Sequence, residues 1–207
     1  MVRKILPMLL VLIGLSLAAC GEYGQVEQGR VVKYDTSTTP ATAWIIKDNG
    51  IDDKHPKYDV LPAHKFTIPT DPGEMGQAPH VGKRVNLNVQ DKVITMYNFE
   101  TEQFDKLPFE LISNDTDVSV RRKHPLVWDN ATGKERKFPE INAAERTIKI
   151  YSRRQEVLSL IKLSPEDFSK YKEEDWDAGD EVRIYYKEDG KALRFMNVTR
   201  TDFTKRK

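Results

Sequence analysis

The chain is poor in cysteine and in net charge. Its single cysteine among 207 residues excludes an internal disulfide bond. Its 33 basic and 32 acidic residues leave a formal net charge of +1. This balance gives no overall attraction for a polyanion, so we expect no nucleic-acid partner. The length corresponds to one domain or two small domains and excludes a large multidomain enzyme.

Motifs of the common catalytic sites are also missing. The chain contains no Gly-x-Ser-x-Gly, no His-Glu-x-x-His and no glycine-rich phosphate loop. Ser-x-x-Lys begins at Ser159 and Ser169, but the Ser-Asp-Asn and Lys-Thr-Gly elements that accompany this motif in its enzymes are absent. We therefore assign no catalytic residue. A small envelope hydrolase that uses carboxylates remains an open alternative, because Asp and Glu are too numerous to single out a pair.

The N-terminal segment has the pattern of a secretory signal. Arg3 and Lys4 precede a mainly apolar run over residues 5–17. This run of about 13 residues is shorter than the roughly 20 that a membrane-spanning helix needs. Two alanines and the only cysteine follow, as Leu17-Ala18-Ala19-Cys20.

Leu17-Ala18-Ala19-Cys20 resembles the lipobox of bacterial lipoproteins. The resemblance implies that residues 1–19 are a signal peptide cut before Cys20, and that lipid is attached covalently to the Cys20 thiol and usually to the new amino group. Two or more acyl chains of this kind, such as palmitate, hold a protein stably on a membrane. The next residue is Gly21 rather than the Asp that often retains lipoproteins in the inner membrane. The resemblance therefore implies the outer membrane, facing the periplasm, with no cofactor besides the lipid.

The rest of the chain has the pattern of a mainly β protein. Residues 20–29 contain three glycines and no apolar period, which predicts a lipidated tether. Alternating segments then predict β-hairpins over 85–97, 147–163 and 182–198, the last around the tight turn Asp189-Gly190. One short helix is predicted near 164–175, with Ser164 as N-cap and Pro165 in the first turn.

These strands favour small OB-like or SH3-like β-barrel halves. Residues 81–87 resemble residues 178–184, and each segment places a glycine before an alternating strand. This similarity has two explanations: the two halves of the chain arose by duplication, or the two segments match by chance. We divide the chain into a first β domain over 30–112 and a second over 113–207. Such a likeness concerns fold and assigns no activity.

The segment from residue 55 to residue 82 is predicted to be a long proline-rich loop. Prolines cannot donate the hydrogen bonds of a central strand, and long loops on rigid scaffolds often carry binding residues. Phe66 and Met75 are the predicted partner contacts on this loop. His55, His64 and His80 are candidate metal ligands, although their spacing is poor and solvated histidines are the alternative.

These features together predict a lipid-anchored protein of the cell envelope, with a non-catalytic binding or structural role. Its expected partner is another protein or an envelope polymer. A metal-binding or metal-delivery lipoprotein is a further alternative. Basic clusters at residues 121–123, 153–154 and 205–207 are candidates for contact with anionic lipid head groups, or simply solvated surface.

Overall fold

The computed structural model describes residues 23–51 and 56–201. The predicted signal peptide, Cys20, His55 and the basic cluster at 205–207 lie outside the described residues. No helix within the described ranges is long and apolar enough to cross a membrane.

The described chain is built mainly from antiparallel strands. In chain order the elements are β1 (Gln25–Asp35), β2 (Thr42–Lys47), β3 (His64–Thr67), β4 (Arg84–Asn88), β5 (Val93–Asn98), β6 (Gln103–Asp115), β7 (Trp128–Asp129), β8 (Lys134–Glu135), β9 (Glu140–Asn142), β10 (Thr147–Ser152), β11 (Val157–Leu163), helix α1 (Pro165–Ser169), a 3₁₀ helix (Glu173–Trp176), β12 (Glu181–Glu188) and β13 (Lys191–Asn197).

Strands from both ends of the described chain close into one barrel, in the order β1-β12-β13-β3-β2. β1 pairs antiparallel with both β12 and β2, and a parallel contact between β13 and β3 completes the ring. Alternate residues face inward, as the two-residue period of a strand requires. They form one core of Val31, Ala43, Ile45, Phe66, Ile68, Val182, Ile184, Tyr186, Ala192 and Phe195. The predicted mainly β fold class with a small barrel is confirmed.

The middle of the chain forms a six-stranded antiparallel sheet, in the order β4-β5-β6-β11-β10-β9. The predicted hairpins over 85–97 and 147–163 are its β4–β5 and β10–β11 pairs. Its apolar face includes Ile94, Met96, Ile148 and Ile161, and fully buried Trp176 packs into the same cluster. β7 and β8 form a separate two-stranded sheet.

The predicted helix begins as expected but is shorter. Ser164 accepts a hydrogen bond from the backbone N–H of Asp167, which caps the start of α1. The helix ends at Ser169, and the 3₁₀ helix that follows it includes Trp176 as its last residue. Phe168 stacks on Trp176 at 5.8 Å between ring centroids, so this segment covers the core of the six-stranded sheet.

The division at residues 112 and 113 does not correspond to the two sheets. It falls inside β6, and strands from both sides of it build the barrel and the six-stranded sheet alike. The six-stranded sheet is instead an insertion between β3 and β12. Pairing between β1 and β12 joins residues more than 150 positions apart, and local alternation carries no information about such partners.

The predicted tether over residues 20–29 is also wrong in its second half. Residues 25–29 are the first part of β1 and pair with residues 182–186 of β12, so they belong to the barrel. Gly29 fits there because a Cβ would lie 2.6 Å from the carbonyl oxygen of Ile46 on β2. Gly29 is therefore explained by the close packing of β1 against β2 rather than by a flexible linker.

Candidate binding cleft

A cleft of about 670 Å³ lies between the barrel and the six-stranded sheet. One wall includes Arg30 of β1 and the entry to β12, and the other includes β4 and the turn between β10 and β11. Residues 177–181 run along the cleft and connect the 3₁₀ helix to the barrel. A concave region between two packed units is a common position for a ligand site.

Two glycines let the chain pass between the units at this point. A Cβ on Gly82 would lie 2.1 Å from the carbonyl oxygen of Asp177, and one on Gly179 would lie 2.1 Å from that of Val31. Gly179 also has a positive φ of 55°, which side chains rarely adopt. The backbone N–H of Val31 donates to the carbonyl of Asp180 at 2.9 Å, so the connecting segment is bound directly to the barrel.

Arginine dominates the charged lining of the cleft. Its five arginines are Arg30, Arg84, Arg153, Arg154 and Arg200, whereas its acidic residues are Asp177, Asp180 and Glu181. Arg200 pairs with Asp180 at 2.7 Å, Arg154 pairs with Glu181 at 3.1 Å, and Arg153 pairs with Glu135. Arg30 and Arg84 form no salt bridge within the described part of the chain, so the positive charge in the cleft is incompletely balanced.

Two buried polar atoms in this lining have no hydrogen-bond partner among the described residues. They are Nε of Arg30 and the hydroxyl of Tyr58. The Arg30 guanidinium lies 4.5 Å from the centre of the Tyr58 ring, and one terminal nitrogen donates to the carbonyl of Val85 at 3.2 Å. Tyr58 is only 8% exposed, and burial raises the pKa of its hydroxyl to about 12. Unpaired buried polar atoms cost stability, so both atoms mark a place where a ligand could compensate.

Arg84 adds a second cation beside Arg30. Its Nε donates to the carbonyl of Trp176 at 3.0 Å, while its terminal nitrogens make no hydrogen bond to the described residues. Burial, and then the positive charge of Arg30, lower the Arg84 pKa to about 10, against the opposing effect of Asp177. The guanidinium is still charged at neutral pH, and it would be stabilised by an added negative charge.

A second polar cluster joins barrel strands β1, β3 and β12. The buried carboxylate of Glu27 lies 3.1 Å from Nδ1 of His64, and Nε2 of His64 lies 3.0 Å from a carboxylate oxygen of Asp189. The Tyr186 hydroxyl donates to the side-chain oxygen of Gln25 at 3.0 Å. Burial, followed by the charges of Glu27 and Asp189, raises the Tyr186 pKa.

The structure does not bring the candidate metal ligands together. His64 lies in β3, and both of its ring nitrogens face carboxylates, which leaves neither free for a metal ion. His80 lines the cleft, with Nδ1 at 3.5 Å from a carboxylate oxygen of Asp177. Within residues 23–51 and 56–201, no group of three or more His, Cys, Asp or Glu residues is arranged to hold a metal ion. His55 lies outside these ranges.

The predicted partner contacts belong instead to the barrel. Phe66 is completely buried in β3 and packs in the barrel core, so it cannot contact a partner. Met75 is partly buried against the same core and forms a β-bridge with Phe195. The proline-rich segment therefore contains a barrel strand, β3, which begins at His64, two residues after Pro62. The expectation of a continuous exposed loop is wrong.

Arg30, Tyr58 and Arg84 are cleft residues that the sequence patterns did not single out. Arg30 and Arg84 stand within alternating strands, where an isolated arginine is typical of solvated surface. His80, the Arg153-Arg154 pair and the glycines at positions 82 and 179 are the features of the sequence analysis that the structure places at the cleft. Their common location depends on the packing of the two sheets.

The fold and the cleft together define a mainly β protein in which a six-stranded sheet is inserted into a small barrel, with an arginine-rich cleft between them. The chain belongs to the family described as a domain of unknown function, DUF4881, whose model matches residues 22–206. No curated protein and no solved structure matches the chain.

Proposed function

We propose that this protein is a lipid-anchored cell-envelope protein, on the outer membrane facing the periplasm, that binds a ligand in the cleft without catalysing a reaction. The lipobox-like Leu17-Ala18-Ala19-Cys20 supports the anchor. The cleft supports the binding role, and the observation that carries it is that Nε of Arg30 and the hydroxyl of Tyr58, in its wall, have no partner within residues 23–51 and 56–201.

The position of β1 supports a location close to the membrane. β1 begins at Gln25, five residues after Cys20. At roughly 3.3–3.6 Å per residue, an extended connection of this length spans less than about 20 Å. A barrel anchored in this way stays near the lipid surface, which suits a ligand that is itself part of the envelope.

The cleft can be blocked by one exposed side chain. Asn86 lines the cleft from β4 and is exposed, so Asn86→Trp fills space there without disturbing a core. Gln103→Trp, at an exposed position of β6 outside the cleft lining, is the matched control. The full-length proteins are used to recover bound components from detergent-solubilised envelopes, and these are quantified by mass spectrometry.

We expect Asn86→Trp to lose at least one component that the wild type and Gln103→Trp both recover. Both variants should melt within a few degrees of the wild type, since surface substitutions usually change stability by less than about 0.5 kcal/mol. Identical recovery by all three proteins would exclude the cleft as the binding site.

A further inference from the structure

We propose that the cleft binds an oxyanion group, phosphate or carboxylate, between Arg30 and Arg84. This inference rests on the proposed function only in taking the cleft as the ligand site, and it adds the chemistry of the ligand. Nothing in the family description assigns such a site.

Arg30 and Arg84 provide hydrogen-bond donors that face no acceptor in the described chain. Arg30 Nε is buried and unpartnered, and the terminal nitrogens of Arg84 have no hydrogen-bond acceptor among the described residues. Guanidinium groups present planar donors that match the oxygens of carboxylate and phosphate. Two such groups in one cleft therefore select an acceptor with several oxygens over a neutral ligand.

The Tyr58 hydroxyl supplies an additional donor. It is buried, unpartnered within the described ranges and lies on the side chain over which Arg30 stacks. The hydroxyl is protonated at neutral pH, and its proton has no acceptor among the described residues, so it is free to donate a hydrogen bond to an anion. A hydroxyl donor beside a guanidinium again favours an anion over a cation.

The acidic residues of the cleft offset this charge only in part, because Asp177 acts on Arg84 while the other two are paired elsewhere. Glu181 and Asp180 are paired with Arg154 and Arg200. Asp177 faces His80 and accepts a hydrogen bond from the backbone N–H of Ala178 at 2.6 Å. The Arg30 and Arg84 pair thus has a net positive charge that one bound oxyanion would balance.

The volume of the cleft indicates that the oxyanion belongs to a larger molecule. About 670 Å³ is within the range of sites for small organic ligands and far exceeds what one phosphate occupies. The rings of Phe138 and Tyr151, 5.6 Å apart between centroids, line the same cleft and add apolar contact surface.

The test uses the full-length protein in a neutral detergent, at constant ionic strength set with chloride. Four probes are titrated by calorimetry: inorganic phosphate, glucose 6-phosphate, glucuronate and glucose. The variants are Arg30→Gln and Tyr58→Phe, and Arg121→Gln, at an exposed position outside the cleft lining, controls for the loss of one positive charge.

We expect at least one anionic probe to bind while glucose does not. Arg30→Gln should weaken that binding by about tenfold and Tyr58→Phe by about threefold, whereas Arg121→Gln should leave it unchanged. Tighter binding of glucose 6-phosphate than of free phosphate supports a larger ligand as the source of the group, and equal binding supports the free anion.

Three results would overturn the oxyanion site. They are no binding of any anionic probe by the folded wild type, equal binding of glucose, and equal weakening by Arg30→Gln and Arg121→Gln. If the anions fail while Asn86→Trp still abolishes recovery of an envelope component, the cleft remains the binding site and its ligand is neutral. Circular dichroism melts of each variant establish that it is folded.

Discussion

Tyr58 illustrates how one buried hydroxyl can lower the stability of the free protein. It has no partner among the described residues, and an unsatisfied buried polar group costs about 1–3 kcal/mol. We expect Tyr58→Phe to raise the free energy of unfolding by about 1 kcal/mol in the absence of ligand. Urea denaturation of the full-length protein measures the difference.

Tyr186 is the matched control for this change. It is as buried as Tyr58, but its hydroxyl donates to Gln25. Tyr186→Phe should therefore lower the free energy of unfolding by about 1 kcal/mol, because it leaves the acceptor without its partner. If both substitutions were destabilising, Tyr58 would have a partner after all.

The raised pKa of Tyr58 also predicts a dependence of stability on alkaline pH. The pKa is about 12 in the folded protein and about 10 in an unfolded chain. Below pH 10 the hydroxyl is protonated in both states, and its contribution is fully present. Between pH 10 and pH 12 the unfolded state ionises first, so stability is lost as the pH rises.

We expect the wild type to lose up to about 2 kcal/mol more than Tyr58→Phe between pH 10 and pH 12. The comparison removes the contribution of the other tyrosines, which are present in both proteins. Urea denaturation at a series of pH values provides the measurement. Parallel pH profiles would show that Tyr58 ionises equally easily in both states.

At the scale of elements, the segment between the 3₁₀ helix and β12 holds the two sheets together. Gly179 has a positive φ and no room for a Cβ beside Val31. Gly133 has a similar φ of 65°, but nothing lies within 4 Å of the position of its Cβ. Comparing the two glycines therefore distinguishes the stability cost of a steric contact from the cost of the backbone conformation.

We expect Gly133→Ala to cost about 1 kcal/mol, because only the conformational penalty applies. Gly179→Ala should cost at least about 2 kcal/mol more, since the segment must also move away from β1. Chemical denaturation of both variants measures this. Equal losses would indicate that the contact with Val31 contributes nothing.

Local pattern was sufficient to predict several elements. The β12–β13 hairpin has the Asp189-Gly190 turn, and Gly190 takes the positive φ of 70° that this turn requires. Helix α1 starts at the Ser164 cap for the same kind of local reason. β3 was missed because its four residues stand among prolines, and a strand so short is recognised only through its neighbours β2 and β13.

At the scale of the whole molecule, the barrel depends on both ends of the described chain. A cut between residues 112 and 113 divides β6 and separates β1–β3 from β12 and β13. We expect residues 20–112 and 113–207, expressed separately, to remain unfolded. Limited proteolysis and circular dichroism of each fragment, with the intact chain as control, would show this, and two protease-resistant fragments would contradict it.

The proposed anchor also concerns the whole molecule, because it would determine where the folded part acts. We expect Cys20→Ser to accumulate as an unprocessed precursor that takes up no fatty-acid probe during metabolic labelling. Ser37→Ala, at an exposed position between β1 and β2, serves as the control and should be labelled like the wild type. Equal labelling of wild type and Cys20→Ser would contradict lipidation at this residue.

Local patterns of the sequence predict the mainly β class, three hairpins, one capped helix and a motif typical of lipidation. Each depends on neighbouring residues: two-residue alternation, turn-forming glycines, a cap or a short signal. The packing of distant segments is what closes a barrel from β1 and β12, buries Phe66 in its core, and brings Arg30, Tyr58 and Arg84 to one cleft. These outcomes depend on contacts between residues far apart in the chain, where strand pairing and burial, rather than local preference, set the free energy.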